Sequence, residues 1–233
     1  MDPTKLPPMK FVFIDTETTS LARPGSVPTG RVTEFCGIPV DVFIDSCQQT
    51  WRAPVMNVRR EDKVHFRLQL TEEDLANADP ESLRVNGYAN DTRLFNATTD
   101  LNNTETMRLW QLGSDVMAGR IIVSQNAAFD IQFIEKELRL YGLSHTTRWQ
   151  RKFVELWSLS AIAQLVEFSY DSNSEDDEAL IKAWQNNNII SLSHAANLGN
   201  DEPNKTAKAH TADGDVEFGI QLFERFMKHM TWL

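Results

Sequence analysis

The fold class is decided by residues 120–141, which read RIIVSQNAAFDIQFIEKELRLY. The run Arg120 to Ser124 predicts a buried strand, because it is short and largely apolar. The residues from Ala127 to about Tyr141 follow at once, and their apolar positions have the three-and-four spacing of an amphipathic helix. A strand followed directly by a helix is typical of parallel strand pairing, so this unit predicts an α/β fold.

Asp130 lies on the apolar stripe of this predicted helix, one turn before Ile134. A carboxylate on a buried face is unfavourable by several kcal/mol unless it is paired or binds a metal, so its position predicts a cation. The alternative is a carboxylate in the first helical turn that backbone N–H groups satisfy. The helix alone leaves both interpretations open. The stripe consists of Ala127, Ile131, Ile134, Leu138 and Tyr141.

Two further acids end an earlier predicted strand. Residues 10–20 read KFVFIDTETTS, and the apolar run in them is typical of a strand. Successive strand residues face opposite sides, so Asp15 and Glu17 lie on the same face. Two carboxylates in that arrangement repel each other unless a positive charge lies between them, and the spacing therefore predicts a bound cation.

The last predicted helix, from about Ala212 to His229, contains two candidate acids, Asp213 and Asp215. Steps of three or four residues from Asp215 reach apolar positions, whereas the same steps from Asp213 reach polar ones. We therefore expect Asp215 to point inward and Asp213 to lie on the surface, and Gly219 to permit close approach of another backbone. The two series are Gly219, Leu222, Phe226 and Met230, and Glu217, Gln221, Glu224 and Lys228.

His210 precedes Asp215 by five positions. A side chain whose pKa is near neutrality, next to a metal-holding acid, suits a general base that takes a proton from the attacking water. We assign the other histidines structural roles. They are His65, His145, His194 and His229.

The rest of the chain predicts further elements and loops. Extended runs lie around Val32 to Ile44 and Val64 to Leu70, and near Phe153 to Leu156 before a helix through Val166. A turn-rich segment, residues 77–91, precedes a helix from about Glu105 to Met117. The segments 171–178 and 200–205 are expected to be solvated loops.

Length and composition favour a single domain. The chain of 233 residues is long enough for one core. It has neither a signal-peptide pattern nor an apolar run of about 18 residues, so we expect a cytoplasmic protein without a membrane partner. Cys36 and Cys47 give no metal-ligand pair and no disulfide framework. The net charge of −10 argues against a protein that coats nucleic acid through a broad basic surface, but a nucleic-acid enzyme that binds cations remains compatible with it.

Three motifs in this order carry a resemblance to a known family. They are Asp15-Thr16-Glu17, then Asn126-Ala127-Ala128-Phe129-Asp130, then His210 followed by Asp215 after four intervening residues. The chain resembles the DEDDh family of 3′–5′ exonucleases over about residues 10–228, and within it the epsilon proofreading subunits of bacterial DNA polymerase III. Residues 79–88, DPESLRVNGY, are similar to a further turn of those subunits.

The resemblance implies an RNase H-like fold, a five-stranded mixed sheet with helices on both faces and the first strand central. It also implies that two divalent cations, Mg²⁺ or Mn²⁺, are held by Asp15, Glu17, Asp130 and Asp215, with His210 as catalytic base. Thr18 and Leu21 would wall the terminal base, and Asn86, which takes the place of a histidine, would lie near the substrate. Asn126 and Phe129 of the second motif are further expected substrate contacts, and Lys208 is an expected phosphate contact.

The implied activity is removal of nucleoside 5′-monophosphates from single-stranded or frayed DNA 3′ ends, as in proofreading for a replicative polymerase. The polymerase could be that of a phage or a mobile element. One alternative is 3′–5′ trimming of RNA, because the same motifs serve both substrates and discrimination depends on contacts to the 2′-OH. Another is a non-catalytic module that binds nucleic acid or docks on a polymerase. Loss of one acid or of the histidine would indicate such a module, and all five residues are present.

Overall fold

The computed structural model describes residues 7–20, 28–43, 54–88, 94–143, 149–150, 152–159 and 211–229. These residues form an α/β fold with a mixed sheet of seven strands. The strands are β1 (Met9–Thr18), β2 (Val32–Phe43), β3 (Val55–Val58), β4 (Val64–Gln69), β5 (Ala97–Thr98), β6 (Ile121–Ser124) and β7 (Phe153–Glu155). The helices with defined bounds are α1 (Glu72–Ala76), α2 (Pro80–Val85), α3 (Thr104–Met117), α4 (Ala127–Leu140) and α5 (Ala212–His229), with a short 3-10 turn over Arg60–Asp62. Residues 156–159 are also helical.

The strand β1 lies in the interior of the sheet. The strand order is β5-β4-β2-β1-β6-β7, and β3 pairs with β2. β1 runs antiparallel to β2 and parallel to β6, so the parallel pairing predicted from residues 120–141 is confirmed. The expected number of strands, five, is wrong, because β3 and β5 add strands of four and two residues. Strands this short have almost no periodic signal of their own and form because β2 and β4 offer them pairing partners.

Helices cover both faces of the sheet because the side chains of β1 alternate between two cores. Phe11 and Phe13 pack against α5, where the ring of Phe223 lies 5.6 and 5.4 Å from theirs. Val12 and Ile14 face the other way and pack beneath α3 and α4. The alternation that buries both sets of residues also decides which face each acid at the end of the strand occupies.

Residues 77–91, expected to be a turn-rich segment, contain the helix α2, and α1 precedes it. The Asp79 side chain accepts a hydrogen bond from the backbone N–H of Glu81, and Pro80 begins the helix, which is a favourable N-terminal arrangement. The backbone N–H of Asp79 also donates to the carbonyl oxygen of Thr19 at 2.8 Å. This contact places the helix pair beside the end of β1.

The longer predicted elements are confirmed at β2, β4, α3, α4 and α5. The helix expected through Val166 is confirmed at its start, because residues 156–159 are helical; the remainder of that helix and the loops at 171–178 and 200–205 lie outside the described residues. Of the helices in the described part of the chain, none is long and apolar enough to cross a membrane.

Candidate metal centre

Three carboxylates meet at one end of β1. Asp15 and Glu17 come from the strand and Asp215 comes from the first turn of α5, and one oxygen from each of them lies within 4.8 Å of the others. All three residues are half-buried. Carboxylate oxygens at this separation are suitable ligands for a hard divalent cation such as Mg²⁺ or Mn²⁺. The donor set therefore fits the cations that the sequence predicts.

The packing of α5 on one face of β1 explains why the three acids converge. Asp15 and Glu17 share the face of β1 that carries Phe13, and α5 packs on that face. A register shift between Glu17 and Thr18 ends the regular pairing of β1 with β2 immediately after the second acid. The backbone N–H of Gly214 donates to Thr211 Oγ1 at 3.0 Å, which fixes the start of α5 and thus the position of Asp215.

Burial and the charges around Asp15 raise the pKa of its carboxyl group well above the ordinary value. Burial is the largest cause, and the neighbouring carboxylates of Asp130, Glu17, Asp215 and Glu34 add to it in that order. In the metal-free protein the ionised form of Asp15 is therefore unfavourable. A bound cation would reverse this preference, because it stabilises the ionised form of every acid around it.

Asp130 lies next to this cluster but is not one of the three residues whose oxygens converge. Its Oδ1 accepts hydrogen bonds from the backbone N–H of Thr16 at 3.0 Å and from Thr16 Oγ1 at 2.7 Å, and its Oδ2 accepts one from Ser124 Oγ. Burial raises the pKa of Asp130 to about 6, although the bonds from Ser124 and Thr16 oppose the shift. The side chain is buried near the cluster, and protein donors satisfy it, a backbone N–H among them, as the alternative interpretation expects. A role for Asp130 in binding a cation stays a prediction.

The last helix confirms the inward position of Asp215 and corrects two details. The positions Gly219, Leu222 and Phe226 are buried, whereas Gln221 and Glu224 are exposed. Asp213 is not an ordinary surface acid, because Lys63 Nζ donates to it at 3.0 Å and its side chain is only 14% exposed. Gly219 does not admit a backbone. Its nearest neighbours are the side chains of Leu156 and Phe13.

A buried ion-pair network that the sequence analysis missed lies under the same end of the sheet. Arg31 donates to both oxygens of Glu137 at 2.9 and 3.0 Å and to both oxygens of Asp74 at 3.2 and 3.0 Å. Glu137 also accepts from the backbone N–H of Val32, and Tyr141 hydroxyl accepts from Arg31 at 3.1 Å. The signal was present in the sequence, because Glu137 lies three residues after Ile134 and four before Tyr141, which is the spacing of the buried stripe of α4.

A second missed cluster occupies the strands beside β1. Glu34 is the cross-strand partner of Glu17 and is 2% exposed. His65 Nε2 lies 2.8 Å from Glu34 Oε1, and Arg67 Nε donates to Glu34 Oε2 at 3.3 Å. Two like charges directly opposite each other are destabilising. The contacts with His65 and Arg67 offset this repulsion on the Glu34 side, which gives His65 the structural role expected of it.

The expected substrate contacts occupy different environments. Asn86 is buried, donates through Nδ2 to the Thr18 carbonyl oxygen at 3.1 Å and accepts from the backbone N–H of Tyr88, so its amide links α2 to the end of β1. Thr18 donates to the Ser20 carbonyl oxygen at 2.9 Å. Asn126 is exposed at the start of α4 and Phe129 is half-buried, its ring 4.9 Å from that of Phe133. His210, Leu21 and Lys208 lie outside the described residues.

Neither a family model nor a curated protein matches this chain.

Proposed function

We propose that the chain is a metal-dependent 3′–5′ exonuclease of the DEDDh class with an RNase H-like fold, acting on DNA ends. The observation that carries the proposal is the convergence of Asp15, Glu17 and Asp215 from two elements nearly 200 positions apart in sequence, with oxygens within 4.8 Å. The order of the motifs that supplied these residues matches that of the family. The parallel β1–β6 pair also supports the proposal, because it places the second motif at the same end of the sheet as the first.

Each residue has a distinct task in this proposal. Asp15, Glu17 and Asp215 supply oxygen ligands for divalent cations, Mg²⁺ or Mn²⁺. A cation held there would polarise the scissile phosphodiester and stabilise the charge on the leaving 3′ oxygen. Asp130 fixes Thr16 and adds negative charge beside Asp15. His210 stays the predicted general base, which takes a proton from the attacking water.

The experiment is an end-labelling assay on two substrates. DNA and RNA oligonucleotides of one sequence, labelled at the 5′ end, are incubated with the protein in Mg²⁺, Mn²⁺ or EDTA. The proposal expects a ladder that shortens from the 3′ end of DNA only when a cation is present. Shortening of RNA alone would replace DNA by RNA as the substrate. Binding of either strand without cleavage under both cations would instead favour the non-catalytic module.

A matched pair of variants ties the activity to the cluster. Asp15→Asn keeps the shape of the side chain and removes a cation ligand, so it should abolish the ladder. Asp115→Asn makes the same change at an exposed acid of α3, far from the end of β1 in the fold, and should leave the ladder unchanged. Equal activity of the two variants would show that the cleaving site is elsewhere or that a contaminating nuclease is responsible.

A further inference from the structure

The first two turns of α5 carry three acids, and two of them, Asp213 and Glu217, form ion pairs with a basic segment. Asp213 and Glu217 are about 40° apart around the helix axis, whereas Asp215 is about 160° away from Asp213. Lys63 donates to Asp213 at 3.0 Å, and Arg60 donates to Glu217 at 2.9 and 2.8 Å. Lys63 and Arg60 belong to the turn that joins β3 to β4.

These contacts restrain the part of α5 that bears Asp215. The apolar contacts of the helix with the core that contains Phe11 and Phe13 run along its length, from Ala212 and Val216 to Phe226. The first turn also carries an acid that must stay near two others, Asp15 and Glu17, and like charges repel at this separation. The ion pairs of Asp213 and Glu217 add a lateral restraint that opposes this repulsion.

The contact between Lys63 and Asp213 is the stronger candidate of the two ion pairs. The side chains of Lys63 and Asp213 are 33% and 14% exposed, against 55% and 30% for Arg60 and Glu217, so solvent screens the first pair less. Partial burial lowers the pKa of Lys63, but its hydrogen bond to Asp213 and the charge of that acid outweigh this, and the pKa lies above its ordinary value. The carboxylate of Asp213 also lies 3.9 Å from the Cys36 thiol, and Cys36 is the cross-strand neighbour of Asp15.

We propose that Lys63, with Arg60 in support, is a positioning residue that holds the first turn of α5 so that Asp215 stays within ligand distance of Asp15 and Glu17. The inference rests on the proposed cation site. Under this proposal, removal of Lys63 changes the cation affinity in the direction opposite to the one that simple electrostatics predicts. Removal of a positive charge near a cation site should strengthen cation binding, whereas loss of a restraint on a ligand should weaken it.

The test measures Mn²⁺ affinity of the full chain, from the electron paramagnetic resonance signal of free Mn²⁺ at constant ionic strength. Lys63→Ala should weaken binding by about 10-fold, the size typical of lost support for a metal ligand. Lys63→Arg should bind like the wild type, because it keeps the ion pair. Arg108→Ala, which removes an exposed ion pair on α3, is the matched control and should have no effect. Lys63→Gln replaces the alanine variant if circular dichroism shows that the latter is unfolded.

The outcomes separate this inference from the proposed function. Equal or tighter Mn²⁺ binding by a folded Lys63→Ala or Lys63→Gln variant would overturn the positioning role. Absence of Mn²⁺ binding by the wild type would overturn both proposals. If the wild type binds Mn²⁺ but trims neither DNA nor RNA, the exonuclease proposal fails, and the affinities of the Lys63 variants still decide the positioning role.

Discussion

Asp130 accepts two hydrogen bonds from Thr16, one from its backbone N–H at 3.0 Å and one from its hydroxyl at 2.7 Å. Thr16 is the residue between the two acids of β1, so α4 is attached to the strand between the carboxylates that converge with Asp215. Ser124, at the end of β6, donates to the other oxygen of Asp130. The buried carboxylate therefore joins three elements at the candidate metal centre.

Asp130→Ala and Asp130→Asn should have different effects on the metal-free protein. Alanine leaves the N–H and hydroxyl of Thr16 without an acceptor, which should reduce the free energy of unfolding by about 1–3 kcal/mol. Asparagine retains one acceptor oxygen for Thr16 and removes a charge whose burial is unfavourable, so it should be at least as stable as the wild type at neutral pH. Urea denaturation in EDTA measures both.

The control for this comparison is Ser124→Ala, which removes one donor and leaves both bonds from Thr16. It should destabilise the protein less than Asp130→Ala does. If Asp130→Asn is as destabilised as Asp130→Ala, the charge rather than the acceptor geometry would be what stabilises this region.

Stability of the metal-free protein should respond to pH through Asp15 and Asp130. Both have folded-state pKa values above the ordinary carboxyl value, about 6 for Asp130, so the folded state binds more protons than the unfolded state over this range. Because stability falls with rising pH where the folded state binds more protons, these groups favour the fold more at about pH 5 than at about pH 7. Asp74, whose pKa is lowered, acts in the opposite direction at lower pH.

A comparison of the wild type with Asp15→Asn isolates the contribution of Asp15 to the pH dependence of stability. Urea midpoints of the wild type and Asp15→Asn are compared in EDTA at about pH 7 and about pH 5, within the window where the raised pKa values act. The variant should have a higher urea midpoint than the wild type at about pH 7, and the difference between the two midpoints should be smaller at about pH 5. A gap that stays constant would show that Asp15 has no raised pKa in the fold.

The sequence predicted the parts of the fold that have a strong local pattern. The apolar stripe of α4, the alternation in β1 and the inward position of Asp215 follow from a regular period and are found, whereas Asp213, expected on the surface, is half-buried. The strands β3 and β5 could not be predicted, because two to four residues contain too little of any period.

The departures at the candidate site come from partners that are distant in sequence. Lys63 lies 150 positions from Asp213, and Arg31 lies 106 positions from Glu137. Periodicity along one helix showed that Asp213 lies on a polar face, but it does not show which basic side chain approaches that face from another element. A buried acid such as Glu137 is detectable from its own stripe, whereas the identity of its partner requires the fold.

Gly219 tests how closely α5 packs on the sheet. A Cβ at this position would lie 2.9 Å from Leu156 Cδ1 and 3.7 Å from Phe13 Cδ1. Alanine gains about 1 kcal/mol of helix propensity over glycine, and the end of the leucine side chain is able to move, so Gly219→Ala should be nearly neutral. Gly219→Val adds bulk that the core has no space for and should destabilise by about 1–3 kcal/mol. Thermal unfolding of both variants decides this, and equal melting temperatures would mean that the helix is free to shift outward.

Arg31 should be the residue whose loss damages the fold most among the ion pairs described above. Its partner Glu137 is fully buried, and removal of the cation leaves a buried carboxylate without its charge partner, which typically costs about 3–5 kcal/mol. Arg31→Met should therefore unfold at much lower urea concentration than the wild type. The double variant Arg31→Met/Glu137→Leu removes both charges and should recover part of the loss. Arg84→Ala breaks a fully exposed ion pair with Glu81 and should change the midpoint little. If Arg31→Met is no less stable than Arg84→Ala, the network does not stabilise the fold.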